Sequence, residues 1–322
     1  MKKINKLLKG KKPSSTKGDS TAGFILCPDR LSLFFENFSA SLAIQENLEN
    51  TFKNLLEKCL VACGSKPKEA VVALNGFYSQ SALSIVRFNR PDPSAKITAK
   101  EYQKIEERLA LIAQNETEAE VGKAFGNAAG RLNLINSQVT RVKVDDFLVS
   151  SAIDHKGQAV ELSFSNSFAD EEITKRVEKI AKKEGFNVLT VTDFARAILS
   201  FAPPEINQIK DFILLTEAGK ACQCAVIFNS QIITTRTLPL SFKLLEQKPA
   251  WFVAGLEETL KSFEGVKTFP SVFAVYPKND ALENLILEYD WSKALPFQDR
   301  PKVANFEISQ ALLFTNIRKA LD

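Results

Sequence analysis

Few residues in this chain are of a type that could carry out chemistry, and they are scattered. His155 is the single histidine. It falls in Asp154-His155-Lys156-Gly157, a turn sequence in which an exposed imidazole needs no catalytic reason. With no second histidine, a Ser-His-Asp or Cys-His arrangement has no other base to build on. The five cysteines are Cys27, Cys59, Cys63, Cys222 and Cys224. Their odd number and lack of a disulfide framework point to a reducing compartment. Cys59-x-x-x-Cys63 with Cys222-x-Cys224 would supply four thiolates for zinc. However, the first pair falls in an amphipathic helix pattern and the second in a strand pattern, where buried free cysteine is ordinary. Asp145-Asp146 and Glu171-Glu172 are adjacent carboxylates, one at a strand end and one at a helix N-terminus, where the dipole favours negative charge. A metal role is the alternative for both. One segment is more specific. Phe212 to Thr216 reads as a buried strand, Glu217-Ala218-Gly219-Lys220 as an acidic-x-Gly turn, and Cys222 to Phe228 as the return strand.

The bulk composition narrows the function classes. The chain has 322 residues, 45% apolar and 25% charged, which suits a globular protein of two domains or one two-lobed body. No run of apolar residues is long enough for a transmembrane helix, and the N-terminus lacks a secretory leader pattern. The net charge is +4, but residues 1–20 hold seven lysines and Asp19. That segment alone is +6, so the remainder carries −2 and does not read as a nucleic-acid-binding body. Lys2, Lys3, Lys6, Lys9, Lys11 and Lys12 are candidates for contact with acidic lipid, at about 1 kcal/mol per near-surface lysine. A solvated tail is the plain alternative, and salt-sensitive nucleic-acid binding through the tail a third.

The expected elements follow from periodicity and caps. Strands are expected at Phe24 to Cys27 and Leu31 to Phe35, around Pro28-Asp29-Arg30. A helix from Leu42 to Cys63 follows the apolar spacing. Glu69 to Leu74 and Ala82 to Phe88 read as strands flanking an Asn75-Gly76 turn. Thr98 and Glu101 form a capping box for a helix from Ala99 to Glu118. Leu132 to Ile135, Gln138 to Val144 and Ala159 to Phe168 read as strands. Asp170 caps a helix that Gly185 stops. A strand to Val191 and a short helix to Leu199 lead to Pro203-Pro204, the expected lobe boundary. Beyond the 212–228 hairpin come a strand from Gln231 to Leu238, a helix from Trp251 to Phe263, a strand from Ser271 to Tyr276, a helix from Ala281 to Glu288 and a last helix from Asn305 to Leu321. Hairpins followed by helices, repeated in two halves, indicate a mixed-sheet α/β protein.

This element order resembles the FtsA/PilM branch of the actin-like superfamily. Lys68-Glu69-Ala70-Val71-Val72-Ala73-Leu74-Asn75-Gly76 is similar to a family strand ending in a small-residue-Gly turn, and Lys96-Ile97-Thr98-Ala99 to its Ile-Thr helix start. Leu132 to Asp146 resembles the tyrosine-rich strand, with Asn136 where an Asp-Gly turn is usual. Glu184-Gly185-Phe186 resembles the Ala-Gly-Leu before the interlobe helix, and Ser309-Gln310-Ala311 stands at the family's Gly-Leu-Ala. The resemblance implies a two-lobed actin-like, ribonuclease-H-like fold with a small inserted strand-helix-strand-strand subdomain. The implied divisions are a basic tail (1–22), a first lobe in two parts (23–67 and 169–204), the insert (68–168) and a second lobe (205–322).

The resemblance also implies a nucleotide site, and three departures bear on it. Cys27-Pro28-Asp29-Arg30 has no glycine where a phosphate hairpin needs one, and Pro28 removes an N–H donor. The second hairpin keeps Gly219, with Glu217 in place of Asp and Lys220 beside it as a candidate phosphate contact or a plain surface lysine. Val275-Tyr276-Pro277-Lys278 puts a ring and a proline where an adenosine-binding Gly-Gly turn is expected. The expectation is a degenerate ATPase without a cofactor, a scaffold at the cytoplasmic membrane face in cell division or type IV pilus assembly. Its implied partners are a filament protein or the cytoplasmic tail of a membrane protein, with self-association a further option. The alternative is an active ATPase with divergent loops, using ATP and magnesium. Trp251 and Trp291 are expected in the core; should the proline-flanked segment from Trp291 to Pro301 be exposed, Trp291 and Phe297 become partner contacts.

Overall fold

The computed structural model describes residues 21–35, 38–45, 47–125, 131–218, 220–263, 266–291 and 295–308. The lysine tail, Gly219 and residues 309–322 lie outside them.

The first sheet starts from a meander. β1 (Thr21–Leu26), β2 (Arg30–Phe35) and β3 (Phe38–Ala43) pair antiparallel. β4 (Glu69–Leu74) then joins β1 in parallel, and β9 (Asn187–Asp193) joins β4. The order is β3-β2-β1-β4-β9. The helix α1 (Leu48–Cys63) covers one face, burying Leu48, Phe52, Leu55, Leu56 and Cys59. Its start lies six residues later than the apolar spacing suggests, because residues 42 and 43 are taken up by β3. The spacing alone could not separate a strand tail from a helix start.

The second sheet repeats this plan. β10 (Phe212–Ala218), β11 (Ala221–Phe228) and β12 (Gln231–Leu238) form the meander. β13 (Val272–Tyr276) pairs with β10 in parallel and β14 (Lys302–Asn305) pairs with β13. The order β12-β11-β10-β13-β14 is that of the first sheet, strand for strand. Asn305 therefore ends a strand, where a closing helix was expected to begin; the rest of that expected helix falls mostly outside the described residues.

The third sheet is inserted between β4 and β9. It holds β5 (Ser79–Asn89), β6 (Leu132–Val144), β7 (Phe147–Val149) and β8 (Ala159–Asp170), in the order β5-β8-β6-β7. The helix α2 (Ala99–Phe125) lies on it, burying Ile105, Leu109, Ala113, Thr117 and Val121 at four-residue steps. Arg90 anchors this unit: its guanidinium is buried, pairs with Glu101 at 2.8 Å and donates to the carbonyls of Gly157 and Ala95. The strand from Glu69 to Leu74 does not belong to the insert, as the 68–168 division had it. It pairs with β1 and β9, and the third sheet begins at Ser79.

Connections follow the caps. Asp170 Oδ1 accepts from the amides of Glu172 and Ile173 and starts α3 (Glu171–Glu184), a cap worth about 1 kcal/mol. Gly185 ends that helix at φ 82°, a conformation L side chains resist. Asp193 caps α4 (Phe194–Phe201), and Pro204 opens the single turn α5 (Pro204–Asn207). In the second lobe α6 (Phe242–Gln247), α7 (Pro249–Lys261) and α8 (Asp280–Glu288) cover the sheet. Of the two tryptophans expected in the core, Trp291 is there and Trp251 is not. Trp291 is 3% exposed, its ring 5.7 Å from Phe273, and its indole N–H donates to Ile286 O. Phe297 is half-buried against the same rings. Trp251 is 66% exposed on α7, with Lys248 Nζ 4.3 Å from its ring centre. Exposed partner contacts at Trp291 and Phe297 are thereby ruled out in this conformation: Trp291 fills the space between β13 and α8.

Candidate functional site: the cleft between the lobes

The first hairpin, between β1 and β2, is a tight turn. Cys27 N–H donates to Arg30 O at 2.9 Å, and Asp29 O is taken by Ile44 N–H. Burial pushes the Cys27 thiol up to about 12, so it is a neutral packing group and no nucleophile. The backbone carbonyls here are engaged inside the sheet, and Pro28 offers no N–H. Few amides remain for a phosphate.

The second hairpin is closed further still. β10 and β11 pair as far as Ala218 with Ala221, so only Gly219 and Lys220 connect them. Lys220 is exposed. Glu217 is directed to its own lobe: its Oε1 accepts from Phe242 N–H at 2.7 Å, at the start of α6. Ser241, in the N-cap position, makes no side-chain cap bond, so Glu217 supplies the cap from outside. Burial raises the Glu217 carboxyl above its ordinary range, opposed by the Phe242 amide and by Arg30 and Lys243.

The turn after β13 is filled in a different way. The Tyr276 ring lies 5.5 Å from Phe306, Tyr276–Pro277 is cis, and Lys278 N–H donates to Glu307 Oε1. A purine would meet a ring already packed against Phe306.

The lobes meet through side chains that sequence reasoning missed. Ser81 on β5 donates its N–H to Thr235 Oγ1 at 2.8 Å, and its carbonyl accepts from Thr234 Oγ1 at 3.0 Å and Arg236 Nη1 at 2.9 Å. Arg236 also pairs with Glu120 on α2, both nearly buried, and lies over the Phe263 ring at 5.6 Å. Gln80 Nε2 reaches Thr237 Oγ1 and Gly76 O, both at 3.4 Å. Gln223 Oε1 on β11 accepts from Ala195 N–H at the start of α4. At Gly76 a Cβ would stand 2.4 Å from Thr237 Oγ1, so any larger residue would have to displace that hydroxyl. Asp193, fully buried, spends its oxygens on Arg196 N–H at 2.8 Å and Ser167 Oγ at 3.5 Å. The Asn75-Gly76 turn was a sequence signal, but nothing local in the chain pairs residue 76 with residue 237.

Other candidates separate. Cys59 lies in the first-lobe core and Cys222 and Cys224 in the second, so these cysteines do not form one site. Asp145 accepts from the amides of Gln158 and Ala159, and Asp146 pairs with Arg87 at 3.4 Å. His155 is an exposed turn residue. Glu171 pairs with Lys175 at 2.9 Å.

Two sheets of identical order, one carrying an insert between its fourth and fifth strands, are the architecture of the actin-like ATPase fold, and this chain has that fold. No family model matches the sequence, and no curated protein matches it significantly. Among solved structures, the chain is similar to one in a PilM–PilN type IV pilus biogenesis complex, at 12% identity and a TM-score of 0.55, over 95% of this chain and 97% of that one. Two others are a Bacteroides thetaiotaomicron protein with an actin-like ATPase fold (8% identity, 92% and 95% coverage, TM-score 0.42) and the cytoplasmic domain of EpsL, an inner-membrane component of the Vibrio cholerae type II secretion system (12% identity, 92% and 93% coverage, TM-score 0.39). No helix among the described residues is long and apolar enough to cross a membrane.

Proposed function

We propose that this chain is a non-catalytic actin-like scaffold of the FtsA/PilM kind, working at the cytoplasmic membrane face and engaging the cytoplasmic tail of a membrane protein. The observation that carries this reading is the closed cleft. The space in which such a fold would hold a triphosphate is bridged by Ser81, Arg236 and Glu120, and Gly76 presses against Thr237. The described backbone of the hairpins pairs within its own sheet, up to Cys27 with Arg30 in the first and Ala218 with Ala221 in the second. The similarity to the PilM chain favours pilus assembly over division as the setting. The lysine tail would add attraction to acidic lipid.

The insert supplies a surface for a partner. Its β5 edge is already covered near Ser81 by β12, which leaves β7 as the free edge. There Phe147 is 76% exposed and Leu148 67%, side chains suited to an incoming extended peptide. The test is a fluorescent ATP analogue with magnesium. Silence at millimolar analogue supports the scaffold. Micromolar binding overturns it in favour of an ATPase with divergent loops.

A further inference from the structure

A second polar junction lies where the inserted sheet, α4 and β11 meet. The central strand β8 turns Leu162, Phe164 and Asn166 toward α2. Alternation puts Ser163, Ser165 and Ser167 on the opposite face, all buried. A sheet centre usually carries β-branched or aromatic residues; three serines leave far less side chain there. Their register partners on β6 are Arg141, Gln138 and Asn136. Arg196 on α4 lies against this face, its Nη1 3.4 Å from Gln138 Oε1. Arg141 is exposed and stacks on the Phe228 ring of the second lobe at 5.1 Å.

The hydrogen-bond accounting of this junction is one-sided. Ser165 Oγ, at a fully buried residue, has no partner, and neither do Asn136 Nδ2 and Arg196 Nη2. Arg196 Nε has only Asp193 Oδ2, at 3.6 Å. All four are donors or can donate. Asp193 Oδ1 accepts from Arg196 N–H, and Oδ2 lies 3.5 Å from Ser167 Oγ. Arg196 has Asp193 as its one charged partner, and unpartnered donors remain in excess.

We propose that this junction binds a carboxylate, carried either by a small acid or by an acidic side chain of a peptide. The Nε–Nη2 edge of a guanidinium matches the two coplanar oxygens of a carboxylate. Ser165 and Asn136 would donate to the remaining lone pairs. The junction adjoins the cleft, since Ser167 Oγ lies 2.7 Å from Ser81 Oγ, and it stands whether or not the scaffold reading does.

The experiment follows the Arg196 Nε–H signal of the full chain by NMR, identified by its loss in Arg196→Lys. Acetate is titrated against chloride at constant ionic strength. The expected result is a saturable shift, weakened about tenfold in Ser165→Ala, the loss of one hydrogen bond to a charged group. Ser165→Ala strands no partner, so it should stay folded, with unchanged circular dichroism. A short peptide with a central aspartate and its asparagine counterpart separate the sources. Tighter binding by the aspartate peptide assigns the carboxylate to a partner chain; equal or weaker binding than acetate assigns it to a small acid. No saturable shift with either probe, equal affinity in Ser165→Ala, or saturable binding of equal strength by the aspartate and asparagine peptides would overturn the site.

Discussion

The carbonyl oxygen of Ser81 accepts a hydrogen bond from Arg236 Nη1 at 2.9 Å across 155 residues of sequence. The same guanidinium pairs with Glu120, so one second-lobe side chain holds both a strand and the helix of the insert. Arg236→Ala should cost about 3–5 kcal/mol, the penalty for leaving a buried ion unpaired. Urea unfolding reads this loss. Replacing both partners, as Arg236→Met with Glu120→Leu, should restore much of it. A single substitution costing under about 1 kcal/mol would mean that the pair is hydrated and weak.

Gly76 reports on the approach of the lobes. Gly76→Ala places a methyl against Thr237 Oγ1 and should destabilise by about 1–3 kcal/mol, as overpacking does. Gly76→Ala with Thr237→Ala should recover part of the loss, because the obstructing oxygen is gone. Thermal unfolding of the four proteins closes this cycle. Additive effects would place the strain elsewhere.

Glu217 gives a pH dependence opposite to the usual carboxylate. Its folded-state pKa is raised, chiefly by burial. Its contribution is therefore present at low pH and lost as pH rises from the ordinary carboxylate range through the raised value. Glu217→Gln keeps an acceptor for Phe242 N–H and cannot ionise. Wild type should lose stability relative to Glu217→Gln as pH climbs through that window; a difference independent of pH refutes this.

Thiol reactivity follows burial. Cys27, Cys59, Cys222 and Cys224 are buried and Cys63 is half-buried. Burial also raises Cys27, Cys222 and Cys224. A chromogenic disulfide reagent at neutral pH should react slowly, at Cys63 first, and take up all five thiols only in denaturant. Rapid native labelling of Cys222 would contradict the closed second hairpin.

The edge at β7 separates binding from stability. Phe147→Ser with Leu148→Ser should change stability by only about 0.5 kcal/mol, the ordinary surface effect. The same pair should abolish capture of a membrane-protein tail by the full chain in a pull-down. Undiminished capture would move the partner to another surface.

Local signals made much of this fold legible in the sequence. The strand from Gln231 to Leu238 lies at the bounds read for it, and the Asp170 and Gly185 caps bound their helix as read. A cap or an apolar period is a property of a few neighbouring residues, so the chain states it directly. The gap at Cys27 to Arg30 was equally visible, since a missing glycine is a fact of composition. Pairing was another matter. That Glu69 to Leu74 belongs to the first sheet, that Trp291 is buried while Trp251 is not, and that residues 76, 81 and 120 meet residues 234–237 were decided only by the tertiary structure. The last of these contacts join residues more than a hundred positions apart, and the energy of all of them depends on geometry that no local window contains.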